Sequence, residues 1–309
     1  MMTKEVPKAG VANQFEDGLA CVLAPNPSPM THWGTNTYLL GWDSVAVIDP
    51  GPMDLNHLSA LIAAINGRTV SHIIVTHSHL DHSPLARPLA DLTGAPVLAF
   101  GNSRAGRSKM MQTLAASGVM GGGEGVDQDF TPDVLIADGD VIDGIGWQLR
   151  AVHTPGHFGN HLCFLWGDAA FTGDHMMGWA SSLVSPPDGD LTDFMASSAS
   201  LAATPMTRAY SAHGAPIKDA QGRLADLVAH RLGREGEILA ALNAGSATPS
   251  ELTAIIYTDV APALLGMAQR NVLAHLIDLT QRRKAASIGP LSATAQFVRT
   301  ELQKTSHTP

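Results

Sequence analysis

Only two of the 309 residues are cysteine, Cys21 and Cys163, too few for a disulfide scaffold or a cysteine-rich zinc finger. No apolar run reaches the roughly 18 residues of a membrane span. The start, MMTKEVPKAG, lacks the apolar core of a secretory signal. Charged residues make up 15% of the chain, and 19 Lys and Arg against 28 Asp and Glu leave −9 with histidine neutral. That balance disfavours a protein that coats nucleic acid or anionic membrane over its whole surface. Hydrophobic residues, at 45%, suffice for a sizeable core and exclude general disorder. The expectation is a soluble, cytoplasmic protein with no membrane partner, built as one large or two unequal domains.

What is present is unevenly spread. Residues 1–219 hold 10 Lys and Arg against 21 Asp and Glu, whereas residues 220–309 hold 9 against 7. The texture changes at the same place, from short apolar runs broken by Gly and Pro to an Ala- and Leu-rich stretch with helical spacing. We place a boundary near 218–222, giving units of 1–219 and 220–309. In the first unit, 19–23, 37–40, 45–48, 73–76, 97–100, 147–153, 161–166 and 169–171 read as strands, and 58–65 as a helix. Meandering strands, followed by strands alternating with helices, suggest two sheets covered by helices. The Met- and Gly-rich stretch 101–132 reads as a helix plus a mobile connection. Its cations Arg104, Arg107 and Lys109 suggest a flap that meets an anionic substrate group. The second unit reads as three helices, over 224–242, from Thr248, and over 262–280. Thr248-Pro249-Ser250-Glu251 supplies an N-cap, a first-turn proline and a capping-box glutamate. The strands of a wing are not evident in QRRKAASIGPL.

Histidine is the surplus: there are 14, and their placement matters more than their number. Four ligand-type residues fall within six positions in His77-Ser78-His79-Leu80-Asp81-His82, directly after a β-branched run suited to a buried strand. Residues two apart on extended chain point the same way, so His77 and His79 can grip one cation. Asp81 and His82, where the chain turns, address a neighbouring position. Imidazole and carboxylate without thiolate suit zinc, with iron or manganese as alternatives. A solvated loop accounts for one such residue and poorly for four. Asp49, His157, Asp174 and His213 each sit in a turn after an apolar run, and loops at one rim of a sheet scaffold are where sites are built. His153 and His175 read as structural, and His161 as a residue behind the ligands or facing substrate. Asn36 reads as a turn residue near the site, and Trp33 and Trp179 as core packing in preference to a site mouth.

His77-x-His79-x-Asp81-His82, with Asp49, His157, Asp174 and His213 in this order, resembles the motif set of the metallo-β-lactamase superfamily over residues 18–219. The resemblance implies an α+β fold, an αββα sandwich with a dinuclear metal site between the sheets. It assigns His77, His79 and His157 to one ion, Asp81, His82 and His213 to the other, and Asp174 to a bridge. Asp49 would hold the histidine loop. The implied cofactor is two Zn2+, with Mn2+ or Fe2+ as alternatives. The implied activity is a hydrolase whose ions share a hydroxide, with Asp81 as the catalytic residue that orients it and shuttles its proton. The bridging Asp174 argues against a true β-lactamase, which generally lacks one.

The tail is similar to the C-terminal helical, winged-helix-like domain of the β-lactamase-like protein 2 family. The similarity runs through His230-Arg231-Leu232-Gly233-Arg234-Glu235, Glu251-Leu252, Tyr257 and Asn271-Val272-Leu273-Ala274-His275-Leu276. The bond attacked stays open between an ester type and a phosphodiester. The substrate is then a small molecule, as for a glyoxalase-type thioesterase using Arg104, Arg107 and Lys109, or single-stranded RNA, as for an endoribonuclease. A winged-helix nucleic-acid-binding protein is the non-enzyme alternative; it requires broken metal ligands, and none is broken. Arg282-Arg283-Lys284 forms a local basic cluster in the tail. Leu224, Leu227, Leu239, Leu242 and Leu252 have the spacing of a core or a homodimer contact.

Overall fold

Alternation builds the first sheet. In β2 (Leu19–Leu23), β3 (Asn36–Gly41) and β4 (Ser44–Ile48), Leu19, Cys21, Tyr38, Leu40, Ala46 and Ile48 face one way. Val22, Leu39, Val45 and Val47 face the other, and all ten are buried. Strands apolar on both faces must be covered on both. The computed structural model describes residues 6–300 and shows how this is done. With β1 (Ala12–Glu16), β5 (Thr69–Ile74), β6 (Val97–Ala99) and β7 (Val134–Leu135), these strands form a seven-stranded sheet in chain order. β1 to β4 pair antiparallel, and β4 to β7 pair parallel.

The parallel crossovers carry α1 (Leu55–Ile65), α2 (Ala86–Thr93) and α3 (Lys109–Ser117). Asp54 caps α1 by accepting the Asn56 and His57 backbone N–H groups, and Asn66 in the left-handed conformation stops it. Leu58, Leu61 and Ile65 of α1 and Leu89 of α2 then cover the outer face of the sheet.

The second sheet holds β8 (Val141–Gly144), β9 (Trp147–His153), β10 (Leu162–Trp166), β11 (Ala169–Gly173) and β12 (Arg208–Ser211), in the order β12-β11-β10-β9-β8. Leu149, Ala151, Leu162, Phe164 and Phe171 pack on Tyr38, Leu40 and Ile48 to make the core between the sheets. Its outer face, at Val152, Cys163 and Ala170, is covered by α4 (Leu191–Ala202) through Leu201 and by α5 (Ala220–Ala241) through Leu224 and Leu227. The layering is the αββα sandwich that the motif set implied. Asp49, His77, His157, Asp174 and His213 all follow the carboxyl ends of strands, β4, β5, β9, β11 and β12 respectively.

Behind the sandwich, the far half of α5 joins α6 (Pro249–Ile256), α7 (Leu265–Gln281) and a hairpin of β13 (Ala285–Ile288) and β14 (Gln296–Arg299). The Thr248–Glu251 capping box forms as its sequence indicates. Two expectations are corrected, and a third, left open between core and dimer contact, is decided. The wing strands exist: each is four residues long without clear alternation, and the hairpin is anchored by Phe297, fully buried and bridged to Ala247. Residues 101–132 are not a free flap, because Met111, Leu114 and Met120 share a core with Leu242, Leu252, Leu276 and Phe297. Arg270 also donates to the Met120 carbonyl at 2.6 Å, and Arg107 is engaged by Asp188. Leu224, Leu227, Leu242 and Leu252 are buried within the chain, with Leu239 packed beside them, so their spacing belongs to a core and not to a dimer contact.

No described helix is long and apolar enough to cross a membrane. Since Phe297 roots the hairpin, Phe297→Ala should cost about 3–5 kcal/mol in urea unfolding. Ile288→Ala on the same hairpin, where the side chain is 56% exposed, should stay within about 0.5 kcal/mol.

Candidate metal centre

The histidine loop is set by Asp49, a non-glycine residue at φ 51°. Aspartate tolerates this conformation better than most residues, and here it frees both carboxylate oxygens for the loop. Oδ1 accepts the Thr76 backbone N–H at 2.8 Å; Oδ2 accepts the Thr76 hydroxyl at 2.8 Å and the His82 Nδ1–H at 3.0 Å.

The same logic fixes the other imidazoles. His157 Nδ1 donates to the Leu183 carbonyl at 2.6 Å, and His213 Nδ1 to the Gly34 carbonyl at 3.1 Å. The Thr76 hydroxyl, its proton given to Asp49, accepts from His77 Nδ1 at 3.0 Å. Since those partners can only accept, the proton of each ring lies outward, and four Nε2 lone pairs point inward. His79 is turned the other way, with Nδ1 inward.

These atoms converge. His79 Nδ1 lies 2.9 Å from His77 Nε2 and 3.1 Å from His157 Nε2. Asp174 Oδ2 is 3.5 Å from His157 Nε2, while its Oδ1 is 3.3 Å from His213 Nε2 and 3.7 Å from His82 Nε2. Asp81 Oδ2 lies 3.4 Å from His82 Nε2 and 3.3 Å from His213 Nε2. Three overlapping groups can therefore hold a cation: His77, His79 and His157; His77, His82 and Asp174; Asp81, His82 and His213. Asp174, with one oxygen toward each side, joins them. His82 Nε2, His213 Nε2 and Asp174 Oδ1 are buried and make no hydrogen bond among the described residues. Buried polar atoms are seldom left so. All three face the side where Asp81, His82 and His213 meet, and a divalent ion there would answer every one of them; His77, His79 and His157 turn three nitrogens together on the other side, so the donor set fits a metal pair.

The electrostatics divide the site. Burial pushes His79 down to about 3, helped by His157, and pushes His77 and His157 below the usual histidine range. These rings are neutral and ready to donate lone pairs. On the other side burial also opposes charge, but Asp174 and Asp81 outweigh it and raise His213 to about 9. Asp81, Asp174 and Asp49 likewise raise His82 well above its ordinary value. Without metal, protons stand where the second ion would sit.

All seven predicted ligands are thus brought together, with Asp49 behind them. His161 lies behind the ligands as well: its Nε2 accepts the Asp174 backbone N–H at 3.1 Å, and its Nδ1 donates to the Thr154 hydroxyl at 2.8 Å. That approach needs a glycine before Asp174, because a Cβ on Gly173 would fall 2.6 Å from His161 Nε2. His153, stacked on Phe100 and bonded to the Gly159 carbonyl, and His175, bonded to Ser198, are structural.

Asn36 is not a turn residue. It opens β3 and donates to the Ser211 and Gly214 carbonyls, clamping the His213 loop. Two contributors were not singled out from the sequence. Asn160 ties the Ser78 backbone and hydroxyl to the Gly101 and Asn102 carbonyls, and Ser182 donates to the Asp174 carbonyl. Each acts across tens of residues or from an ordinary loop, where one sequence carries no local signal.

Trp33 and Trp179 do not simply fill a core. They line a cavity of about 280 Å³ with His32, Ala215, Pro216 and Ile217. The His32 ring lies between the two indoles, at 4.8 and 4.7 Å. Trp179 follows Asp174 by five residues and touches Gly214, next to His213, so the cavity is walled by the ligand loops themselves. A second cavity of about 160 Å³, at Gln14, Trp42 and Arg68, lies at the other end of β3 from Asn36.

Comparison with known proteins gives the family and the fold. Residues 30–208 match the metallo-beta-lactamase superfamily, and residues 248–290 match the beta-lactamase associated winged helix domain. The lactamase-like protein adaB of Aspergillus niger is 31% identical over 245 residues, covering 77% of this chain and 68% of the relative. The atrochrysone carboxyl ACP thioesterase dmxR1 of Cryptosporiopsis sp. is 32% identical over 226 residues, 72% of this chain and 62% of the relative. Among solved structures, a metallo-beta-lactamase family protein from Thermus thermophilus superposes with a TM-score of 0.74 at 25% identity, over 93% of this chain and all of that one. A beta-lactamase domain protein from Burkholderia ambifaria gives 0.78 at 20% identity, over 96% of each chain, and so speaks for the fold.

The raised His213 pKa has a measurable consequence. Between about pH 6.5, the unfolded value, and about 9, the metal-free fold binds a proton that the unfolded chain does not. Its contribution to stability is full below 6.5 and is lost as pH rises through about 9. Uptake of the second ion must displace that proton. Calorimetric zinc titration in buffers of different ionisation enthalpy should show proton release at pH 7, and tighter binding at pH 8.5 than at pH 7. Affinity independent of pH would contradict the assignment.

Proposed function

Because the chain belongs to the metallo-β-lactamase superfamily and carries the winged-helix domain associated with it, we propose that this hydrolase is a two-metal thioesterase whose substrate has an apolar, ring-bearing acyl group. The observation that carries the metal reading is the inward convergence of five imidazole nitrogens and two carboxylates around orphaned buried atoms. His77, His79 and His157 would hold one ion, Asp81, His82 and His213 the other, and Asp174 both. Zinc suits this set, with iron or manganese as alternatives. Bound there, a pair of divalent ions supplies Lewis acidity and brings the pKa of water toward neutrality.

The protein's own part is position and proton handling. Asp49, Leu183 and Gly34 hold three rings in one tautomer, which keeps their lone pairs aimed without rearrangement. Asp81 has a side chain 27% exposed against 10% for Asp174. It is the carboxylate that can take a proton from attacking water and pass it to solvent. The cavity at Trp33, His32 and Trp179 offers aromatic walls beside the ligand loops, suited to the acyl group.

Two observations favour a thioester over RNA. Relatives named as atrochrysone carboxyl ACP thioesterases are 28–32% identical to this chain. The basic cluster of the tail is also largely engaged internally: Arg282 pairs with Asp278 and Glu235, and Lys284 with Glu235 at 2.8 Å, which leaves Arg283 as its one cation without an acidic partner among the described residues. Phosphates would have to break those pairs. The glyoxalase-type variant keeps Arg104 and Lys109 of its three cations, since Arg107 is engaged by Asp188.

The test is a panel of benzoyl and acetyl pantetheine thioesters, bis(p-nitrophenyl) phosphate and single-stranded RNA, each with and without EDTA. Thioester hydrolysis that EDTA abolishes is expected. Trp179→Ala should raise KM about ten-fold for the benzoyl thioester and far less for the acetyl one. EDTA-sensitive cleavage of RNA with both thioesters untouched would overturn the reading.

A further inference from the structure

Arg231 of α5 is 3% exposed, and its partners among the described residues are neutral. It donates through Nη2 to the Ser182 carbonyl and through Nη1 to Asn271 Oδ1 at 3.0 Å, and its guanidinium carbon lies 5.1 Å from the centre of the Phe194 ring. Burial lowers its pKa only to about 10, so it stays charged at neutral pH. A buried charge with no carboxylate is costly, and an apolar side chain of similar volume commonly serves stability better. Plain packing is therefore a weak explanation for this residue.

Its surroundings suggest a stronger one. Asn271 of α7 uses the same Oδ1 to accept the Val184 N–H at 3.1 Å. Arg270, beside it, donates to the Ser185 hydroxyl at 2.8 Å and to the Pro186 carbonyl. The C-terminal helices thus grip the backbone at residues 182, 184 and 186. Within that grip lies Leu183, whose carbonyl takes the His157 Nδ1 proton at 2.6 Å, and Ser182, whose hydroxyl donates to the Asp174 carbonyl. If the Leu183 carbonyl drifts, His157 loses the partner that fixes its tautomer and the aim of Nε2.

We propose that Arg231 and Asn271 are positioning residues, through which the C-terminal domain braces the 182–184 backbone and so sets the aim of His157 and the placement of Asp174. On this view the winged-helix domain serves metal affinity in the domain in front of it. The inference rests on the metal reading above and adds to it a source of affinity more than 40 residues away in sequence.

The experiment uses the full chain, stripped of metal and titrated with zinc alone against a chromophoric chelator, with thermal unfolding of the metal-free protein measured in parallel. Arg231→Met and Asn271→Leu should weaken zinc binding about ten-fold, the scale on which partners of ligating histidines act. The metal-free melting temperature of Arg231→Met should be unchanged or raised. Asn271→Asp keeps the acceptor oxygen for both Val184 and Arg231 and should restore wild-type affinity. Should Arg231→Met fail to fold, the contrast between Asn271→Leu and Asn271→Asp decides alone. Lower melting temperatures with wild-type zinc affinity would show mere packing and overturn the proposal while leaving the metal site standing. A wild-type protein that takes up no zinc, iron or manganese would overturn both, and this is seen before any variant is made.

Discussion

Two carboxylates, the buried Asp174 and the partly exposed Asp81, face imidazole nitrogens whose protons have been directed away from them, and the rest of the rim follows from that confrontation. Asp49, Leu183, Gly34 and Thr76 each take a proton on the far side of a ring. The atoms left pointing inward are all electron-rich, and several find no partner among the described residues. Such a cluster is unfavourable on its own, because lone pairs and carboxylates at these distances repel and are cut off from water. Protons on His82 and His213 relieve part of the conflict. Divalent cations would relieve the rest. Folding therefore leaves a deficit of positive charge at one rim of the sandwich.

The scaffold explains why that deficit can be held. Five loops leave strand ends that the inter-sheet core fixes in register, and the core strands are apolar on both faces and closed by helices. Local exceptions fall at the site. Asp49 adopts a left-handed backbone, and Gly173 permits a contact with His161 that no larger residue would tolerate. Departures of this kind from ordinary backbone behaviour tend to sit where function needs them.

What could be read from the sequence divides along the same line. The run from His77 to His82 was legible because its signal is local: four ligand-type residues directly after a strand. The capping box at Thr248 was legible for the same reason. Asp174 and His213 needed the family resemblance, since a single acid or histidine in a turn has many uses. The roles of Asn160 and Arg231 could not be seen at all, because each depends on a loop brought close from far along the chain, and Ser182, eight residues from Asp174, sits in a loop with no distinguishing pattern. The wing was missed because its strands are short and lack alternation, with one buried phenylalanine doing the anchoring. The 101–132 segment misled by composition: methionine and glycine suggest mobility, yet Met111 and Met120 are core residues.

The C-terminal domain changes meaning in this light. Arg231 and Arg270 are turned onto the 182–186 backbone, and Arg282 pairs with acids of its own domain. Cations engaged in this way suit the domain to bracing the loop in front of it. The account as a whole depends on two ions joined by Asp174. Elemental analysis of the purified chain, beside Asp174→Ala, tests this most directly. Two transition-metal ions per wild-type chain and at most one in the variant are expected; two ions in both would contradict the two-metal reading.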